Sequence, residues 1–217
     1  MRALLACALL ATAASCERAR EEVTWPVGTV LALGDRPILA AEVDEASAPF
    51  ALLEPRDSLD QLRRLALTNV VLPRCAAEAI DPQERSEARR RAEALQRALA
   101  AGKPVQDAQP VERKGLMLDL GLELWNAVLP LQPGQWTGVV ETAGCFQIAQ
   151  LVEKGSGPVP AGVPLTLAVY DFPYLPVEQA RERIDAQLDR SHLVYVDEAW
   201  RALVPIAWQH RLKGGSP

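Results

Sequence analysis

The sequence predicts an α+β protein, in which a mostly helical first half precedes a small antiparallel sheet accompanied by helices. Apolar residues recur at helical spacing between positions 57 and 99. Short alternating apolar runs follow between positions 139 and 172, and Gly- and Pro-containing turns separate them. Helical runs followed by strand runs in this order are typical of the α+β class.

The composition is that of an ordinary globular chain. Among 217 residues, 23 Lys and Arg face 28 Asp and Glu, giving a formal net charge of −5, and 49% of residues are hydrophobic. These values argue against a fully disordered chain and against a nucleic-acid-binding protein, which needs a basic surface. The two histidines, His192 and His210, argue against a histidine-rich metal site, and no cofactor is expected.

The N-terminus has the pattern of an export signal. Arg2 precedes an apolar run from Ala3 to Ala14, which has the length of a signal-peptide core and is too short to span a bilayer comfortably. Residues 1–15 are therefore predicted to be a signal peptide and residues 16–28 a tether. We expect an extracytoplasmic protein, either periplasmic or anchored in a membrane.

The end of this run resembles a bacterial lipoprotein cleavage box. Small residues lead into a cysteine in Ala13-Ala14-Ser15-Cys16, although the usual leucine of the box is here Ala13. The resemblance implies lipidation of Cys16 and attachment to a membrane. Ordinary cleavage nearby and release of the chain is the alternative.

Two further cysteines, Cys75 and Cys145, lie in the folded part of the chain. An extracytoplasmic compartment permits a disulfide between them. Alternatively, both are small apolar side chains that stay unbonded.

The first elements are a hairpin and a helix. Two short apolar runs flank Gly34-Asp35, a pair suited to a tight turn, within the stretch that begins at Thr29. We predict a β-hairpin here and a helix that starts near Ala41.

Two further helices carry explicit start signals. Asp57-Ser58 caps a helix with apolar residues at helical spacing, and Pro73 is expected to kink or end it. Asp81-Pro82 opens the next helix, which Gly102 closes. This helix is rich in arginine, which suggests a polyanion site. Glutamates lie between these arginines along the helix and favour a solvated face instead. The arginines are Arg85, Arg89, Arg90, Arg91 and Arg97, and the glutamates are Glu84, Glu87 and Glu93.

The second half changes to strands. A short helix around Leu124 is followed by a turn at Pro133-Gly134 and by two strands, one near Val139 and one from Phe146 to Val152. A Gly- and Pro-rich loop at 155–164 separates them from a later strand at 165–172 and from a helix that starts at Pro176.

The stretch from Leu124 to Lys154 resembles the second half of a parvulin-type peptidyl-prolyl isomerase domain, whose pattern includes Leu-x-Pro-Gly-(Glu/Gln) and Thr-x-x-Gly-Tyr-His-Ile-Ile. The matching positions are Leu131, Pro133, Gly134, Gln135, Thr142, Phe146 and Ile148. Residues 29–80 resemble the N-terminal chaperone region of SurA-type and PrsA-type folding factors. The resemblance implies a helical chaperone region at 29–80, a degenerate parvulin-like domain at 81–175 and a C-terminal helical segment at 176–217.

The active-site histidines of the family are missing. In parvulins two histidines lie beside a Cys or Asp and an apolar proline pocket; the second histidine aligns with Gln147, and a family glycine aligns with Cys145. No histidine precedes His192, and between Ile80 and Pro82 there is no room for the family's first strand. The resemblance therefore implies no catalytic residue, and Gln147 occupies the position of the family histidine. It does imply a substrate pocket, made of Leu120, Leu124, Phe146 and Gln147.

Two aromatic groups have open interpretations. If the strand at 165–172 replaces the missing first strand, then Tyr170, Phe172 or Tyr174 would face the pocket; ordinary packing is the alternative. Near the C-terminus, Trp200, Trp208 and Leu203 form either an exposed anchor for client polypeptides or part of the core.

The resemblance implies an exported folding factor that binds unfolded or proline-containing polypeptides, with weak or absent isomerase activity. Whether the chain is an enzyme stays open, because a dry pocket that twists the prolyl amide can act without acid or base. The alternatives are a working isomerase with replaced histidines and a structural lipoprotein scaffold.

Overall fold

A computed structural model describes residues 24–102, 109–210 and 212–214. The protein is α+β, as the sequence predicted, with two four-stranded sheets. The predicted signal peptide and Cys16 lie outside the described residues. Within the described ranges, no helix is both long enough and apolar enough to cross a bilayer.

The first sheet is built on the predicted hairpin. Strands β1 (Thr29–Leu33) and β2 (Arg36–Leu39) pair antiparallel around Gly34, whose φ of +59° suits the tight turn. The C-terminal part of the chain completes this sheet with β7 (Leu193–Tyr195) and β8 (Leu212–Gly214), in the order β2-β1-β7-β8. The sequence predicts neither β7 nor β8, because three residues are too few to show strand alternation.

Four helices follow the hairpin: α1 (Ala40–Leu53), α2 (Leu59–Ala66), α3 (Leu72–Ile80) and α4 (Pro82–Ala100). The predicted caps are confirmed. Ser58 and Gln61 form a reciprocal capping box, and the Asp81 carboxylate accepts a hydrogen bond from the backbone N–H of Glu84 at 3.0 Å.

The sequence predicted that Pro73 would kink or end the helix. The helix does not end there, because α3 continues beyond Pro73. A single π-helical turn, Leu67–Val71, joins the two helices without a gap. Proline removes one backbone donor and clashes with the carbonyl of the preceding turn. The wider i→i+5 turn, which ends two residues before Pro73, provides a local irregularity at which the chain can accommodate the proline.

The second sheet is antiparallel and has the order β3-β6-β5-β4. Its strands are β3 (Val111–Gly115), β4 (Val140–Thr142), β5 (Cys145–Lys154) and β6 (Leu165–Pro173). Strands β4, β5 and β6 were expected from the sequence. Strand β3 was not, because its Val-Glu-Arg-Lys-Gly sequence lacks apolar alternation. Strand β6 is central, between β5 and β3.

The remaining helices are short. The helix expected around Leu124 is two helices, α5 (Met117–Leu120) and α6 (Leu122–Val128), because Gly121 at φ +84° interrupts them. Helix α7 (Ala180–Arg190) starts four residues later than expected, after a turn at 176–179, and α8 (Ile206–Gln209) lies near the C-terminus. Two 3₁₀ turns occupy Pro160–Gly162 and Glu198–Leu203.

The C-terminal aromatic residues belong to the core. Trp200 is 7% exposed and Leu203 5%, both within the cluster that contains the first sheet and helices α1 to α4. Trp208 is partly buried against the same cluster. The guanidinium of Arg63 lies 4.7 Å from the centre of the Trp200 ring. The interpretation as core packing therefore applies here, and the exposed-anchor alternative is wrong for Trp200 and Leu203.

Candidate functional site

A polar cluster lies on one face of the second sheet. Gln147 on β5 and Asp171 on β6 are direct cross-strand partners, and the Gln147 amide donates to an Asp171 carboxylate oxygen at 2.8 Å. The Arg113 guanidinium on β3 donates to the other Asp171 oxygen at 2.7 Å. The Cys145 sulfur lies 4.0 Å from Asp171. We name these four residues the polar cluster.

The chemistry open to this cluster is limited. Gln147 is only 7% exposed, and its amide is neutral. Burial, followed by the negative charge of Asp171, raises the pKa of the Cys145 thiol to about 12, so the thiol stays protonated and is a poor nucleophile near neutral pH. With no imidazole present, the cluster can orient a polar group but has no side chain that ordinarily exchanges protons at neutral pH.

The expected substrate pocket is not assembled. Leu120 and Leu124 are 6% and 0% exposed in a second core beneath α5 and α6. Gln147 shares the sheet face of that core, because it alternates with the core residues Ala149 and Leu151 along β5. Phe146, the adjacent residue, therefore points to the opposite face and packs in the first core.

The aromatic residues at 170–174 are likewise packing residues. Tyr170 stacks on Trp136 with ring centres 5.7 Å apart, and Tyr174 lies 5.4 Å from Phe146. Phe172, Tyr174 and Trp136 all contact the first core. The packing interpretation agrees with these contacts.

A cavity of about 620 Å³ opens where α3, α7 and the β4–β5 turn meet. We name it the junction groove. Its apolar lining is Pro73, Ala143, Leu175, Val177, Ala180 and Ile184. Thr68, Asn69, Arg181 and Asp185 supply polar groups, and the Cys145 thiol of the polar cluster reaches its wall. The volume is in the range of ligand-binding clefts.

Local geometry explains how the groove forms. Thr68 and Asn69 reach it because they lie on the π turn, an irregularity that is frequent at functional sites. On the opposite wall Gly144, at φ +100°, makes the tight β4–β5 turn, and its carbonyl accepts hydrogen bonds from the backbone N–H groups of Tyr174 and Leu175. The Tyr174 hydroxyl accepts from the Gly144 N–H at 3.1 Å. Burial raises the Tyr174 pKa to about 12, so this hydroxyl keeps its proton.

The groove could not be found from the sequence. Its walls come from residues 68–73, 143–145 and 175–185, which only the tertiary fold brings together. The nearest sequence signals were Pro73 within a helical pattern and the Ala143-Gly144 turn.

A network of ion pairs lies beside the groove-forming helices. Glu42 pairs with Arg36 and Arg74, Glu78 pairs with Arg36 and Arg85, and Arg85 makes two bonds to Glu141 on β4, at 2.8 and 2.9 Å. Because each of these charges is met by opposite charges, the network is suited to joining elements rather than to binding an ion.

The cysteines and the arginines of α4, the other candidates from the sequence, have structural roles. Cys75 is 1% exposed, burial raises its pKa to about 12, and it is a free thiol, as is Cys145; no disulfide joins them. The exposed arginines of α4 pair with neighbouring glutamates, as expected for a solvated face; the pairs are Arg89 with Glu93, Arg90 with Glu87 and Arg91 with Glu84. In the part of the chain that the structure describes, no group of His, Cys, Asp and Glu is arranged to hold a metal ion.

Comparison of this chain with protein-family models, with curated proteins and with solved structures finds no match in any of the three.

Proposed function

We propose that this chain is an exported folding factor, distantly related to SurA-type and parvulin-type proteins, which binds unfolded polypeptide and has little or no isomerase activity. The junction groove is the observation that carries this proposal. It offers six apolar side chains beside polar groups in an open cavity, which suits an extended segment with apolar side chains. Covering such segments prevents their association.

The test is suppression of aggregation of a chemically unfolded client by the full chain. Val177 is 74% exposed in the groove, so Val177→Asp introduces a charge there with little effect on folding. Val27 is fully exposed outside the groove, and Val27→Asp is the matched control. We expect suppression by the wild type and by Val27→Asp, and a loss of at least about threefold in Val177→Asp. Absence of suppression at several-fold excess of the wild type would contradict the proposal and favour a structural scaffold.

A second candidate is a working prolyl isomerase, which the bonded Gln147–Asp171 pair favours. Asp171 accepts a hydrogen bond from the Gln147 side chain at 2.8 Å, so a histidine at position 147 would have a carboxylate neighbour. A carboxylate raises the pKa of a neighbouring imidazole. Even so, we expect Gln147→His to raise the catalysed rate less than about tenfold, because a second imidazole is missing and such groups act as a unit.

A protease-coupled assay of cis-to-trans conversion on a proline tetrapeptide measures this rate above the uncatalysed background, which proceeds in about tens to hundreds of seconds. A strong wild-type rate, or a rise of more than about tenfold in the variant, equal to ~1.4 kcal/mol of barrier, would favour the isomerase instead.

Export and anchoring are part of the proposal. The apolar run at 3–14 supports a signal peptide, and the residues before Cys16 support lipidation and a membrane anchor. Mass spectrometry of the mature N-terminus would identify a lipid-modified Cys16. An unmodified N-terminus at another position would contradict lipidation.

A further inference from the structure

Helix α7 carries an acidic stripe beside the junction groove. Its members are Glu178, Glu182, Asp185 and Asp189, at spacings of four, three and four residues, all exposed on one side of α7 and the turn before it. They line a shallow depression of about 510 Å³ together with Arg181 and Ala186. Four carboxylates and one basic side chain line this depression, so the formal charge of its lining is negative.

The acidic stripe and the groove form one continuous surface. Arg181 and Asp185 line both the depression and the junction groove. These two side chains lie 4.0 Å apart and are 96% and 66% exposed, so their mutual attraction is weak and both are available to other charges. A ligand in the groove therefore lies next to Asp185, the member of the acidic stripe that lines both cavities.

We propose that this combined surface binds an extended polypeptide segment in which apolar side chains alternate with lysine or arginine. The inference depends on the proposed function and adds the class of segment that the groove selects. Charge complementarity is its basis: the apolar wall takes the apolar side chains, and the acidic stripe attracts basic ones while repelling acidic ones.

The dimensions fit an extended segment. From Glu178 to Asp189 the stripe rises by ~16 Å at 1.5 Å per residue. An extended chain advances about 3.3 Å per residue, so about five residues cover this length. Because successive side chains of an extended segment point to opposite sides, every second one can face the carboxylates while the others face the apolar wall.

The test measures fluorescence anisotropy of labelled ten-residue peptides with the full chain. Three peptides alternate leucine with lysine, with serine or with glutamate. We expect the lysine peptide to bind at least about fivefold more tightly than the serine peptide and the glutamate peptide to bind most weakly, because three or four exposed charges contribute. In 0.5 M salt the difference should fall below about twofold, since added ions screen exposed charges.

Two triple variants identify the source of the selectivity. Glu178→Gln, Glu182→Gln and Asp185→Asn together remove most of the stripe. The control neutralises three exposed carboxylates on other elements, with Glu54→Gln, Glu112→Gln and Glu153→Gln. We expect the preference for lysine to disappear in the first variant and to persist in the second. Circular dichroism verifies that both variants are folded.

The outcomes separate this inference from the proposed function. Equal binding of all three peptides, or equal loss of selectivity in both triple variants, would contradict the proposed preference for alternating basic residues. The proposed general binding of unfolded polypeptide would then remain. If none of the three peptides binds, then both the inference and the proposed function fail.

Discussion

Asp171 is the residue on which the polar cluster depends. Its two carboxylate oxygens accept from Gln147 and from Arg113, so it holds the Gln147 amide in one orientation. Gln147 is 7% exposed, whereas the side chains of Asp171 and Arg113 are 27% and 35% exposed. The carboxylate therefore satisfies a buried donor on one side and a partly solvated one on the other.

We expect Asp171→Ala to lower the free energy of unfolding by about 1–3 kcal/mol, because it leaves the buried Gln147 amide without this acceptor. Arg113→Ala removes the more exposed partner and should cost about 0–1 kcal/mol. Urea denaturation followed by circular dichroism measures both. Equal costs would show that Gln147 does not depend on Asp171.

Glu123 on α6 gives a prediction about pH. Burial raises its pKa above the ordinary value of 4.5, although the nearby Arg74 charge acts in the opposite direction. Because the pKa is raised, the folded state binds this proton more tightly than the unfolded state does. The resulting stabilisation is complete below pH 4.5 and is lost as the pH rises through the raised pKa. Glu123→Gln keeps the shape without the ionisation. Its stability relative to the wild type should therefore increase from pH 4 to pH 7.

Urea denaturation at several pH values measures this difference. Glu45→Gln is the matched control, because Glu45 lines the same small cavity but is exposed. If both variants showed the same pH dependence, burial of Glu123 would not be its cause.

At the scale of elements, the β4–β5 turn fixes one wall of the junction groove. Gly144 has φ +100°, and a Cβ atom there would lie 3.4 Å from the Leu175 side chain. Gly34, in the β1–β2 turn, has φ +59°, and a Cβ atom there would have no neighbour within 4 Å. We expect Gly144→Ala to cost about 1–3 kcal/mol and Gly34→Ala about 1–2 kcal/mol or less.

Thermal or urea unfolding compares the two glycine variants. Gly144→Ala should also weaken peptide binding in the groove, whereas Gly34→Ala should not. A larger loss of stability or binding in Gly34→Ala would contradict the role assigned to the β4–β5 turn.

At the scale of the whole molecule, the ion-pair network joins the helical region to the second sheet. Arg85 on α4 makes a two-bond pair with Glu141 on β4, and the two side chains are 23% and 19% exposed. Arg85 also contacts Glu78 on α3. Partial burial strengthens such a pair, but it also makes an unmatched partner costly.

A double-mutant cycle with Arg85→Met and Glu141→Gln tests this connection. Each single change should cost about 1–3 kcal/mol, and the coupling between them should be about 1–2 kcal/mol. The exposed pair Arg89 and Glu93, 2.9 Å apart on α4, is the control and should couple by about 0.5 kcal/mol or less. Equal coupling in both pairs would mean that the Arg85 pair is not a structural connection.

The sequence by itself determined the features that depend on neighbouring residues. The turn at Gly34, the caps at Ser58 and Asp81, and the strands β5 and β6 all follow from short-range signals, namely backbone conformation, capping and alternation. Alternation would also have separated Phe146 from Gln147. Grouping them in one pocket followed from the family resemblance, which matches positions along the chain rather than faces of a strand.

Only the tertiary structure decided which distant residues meet. Gln147 and Asp171 are 24 residues apart, and Arg113 and Asp171 are 58 apart, so their contacts depend on strand order and register. Strand β3, whose sequence lacks alternation, forms because β6 offers it a free edge. The junction groove likewise exists only where three separate segments pack together. Such contacts follow from long-range pairing and burial, which no window of neighbouring residues encodes.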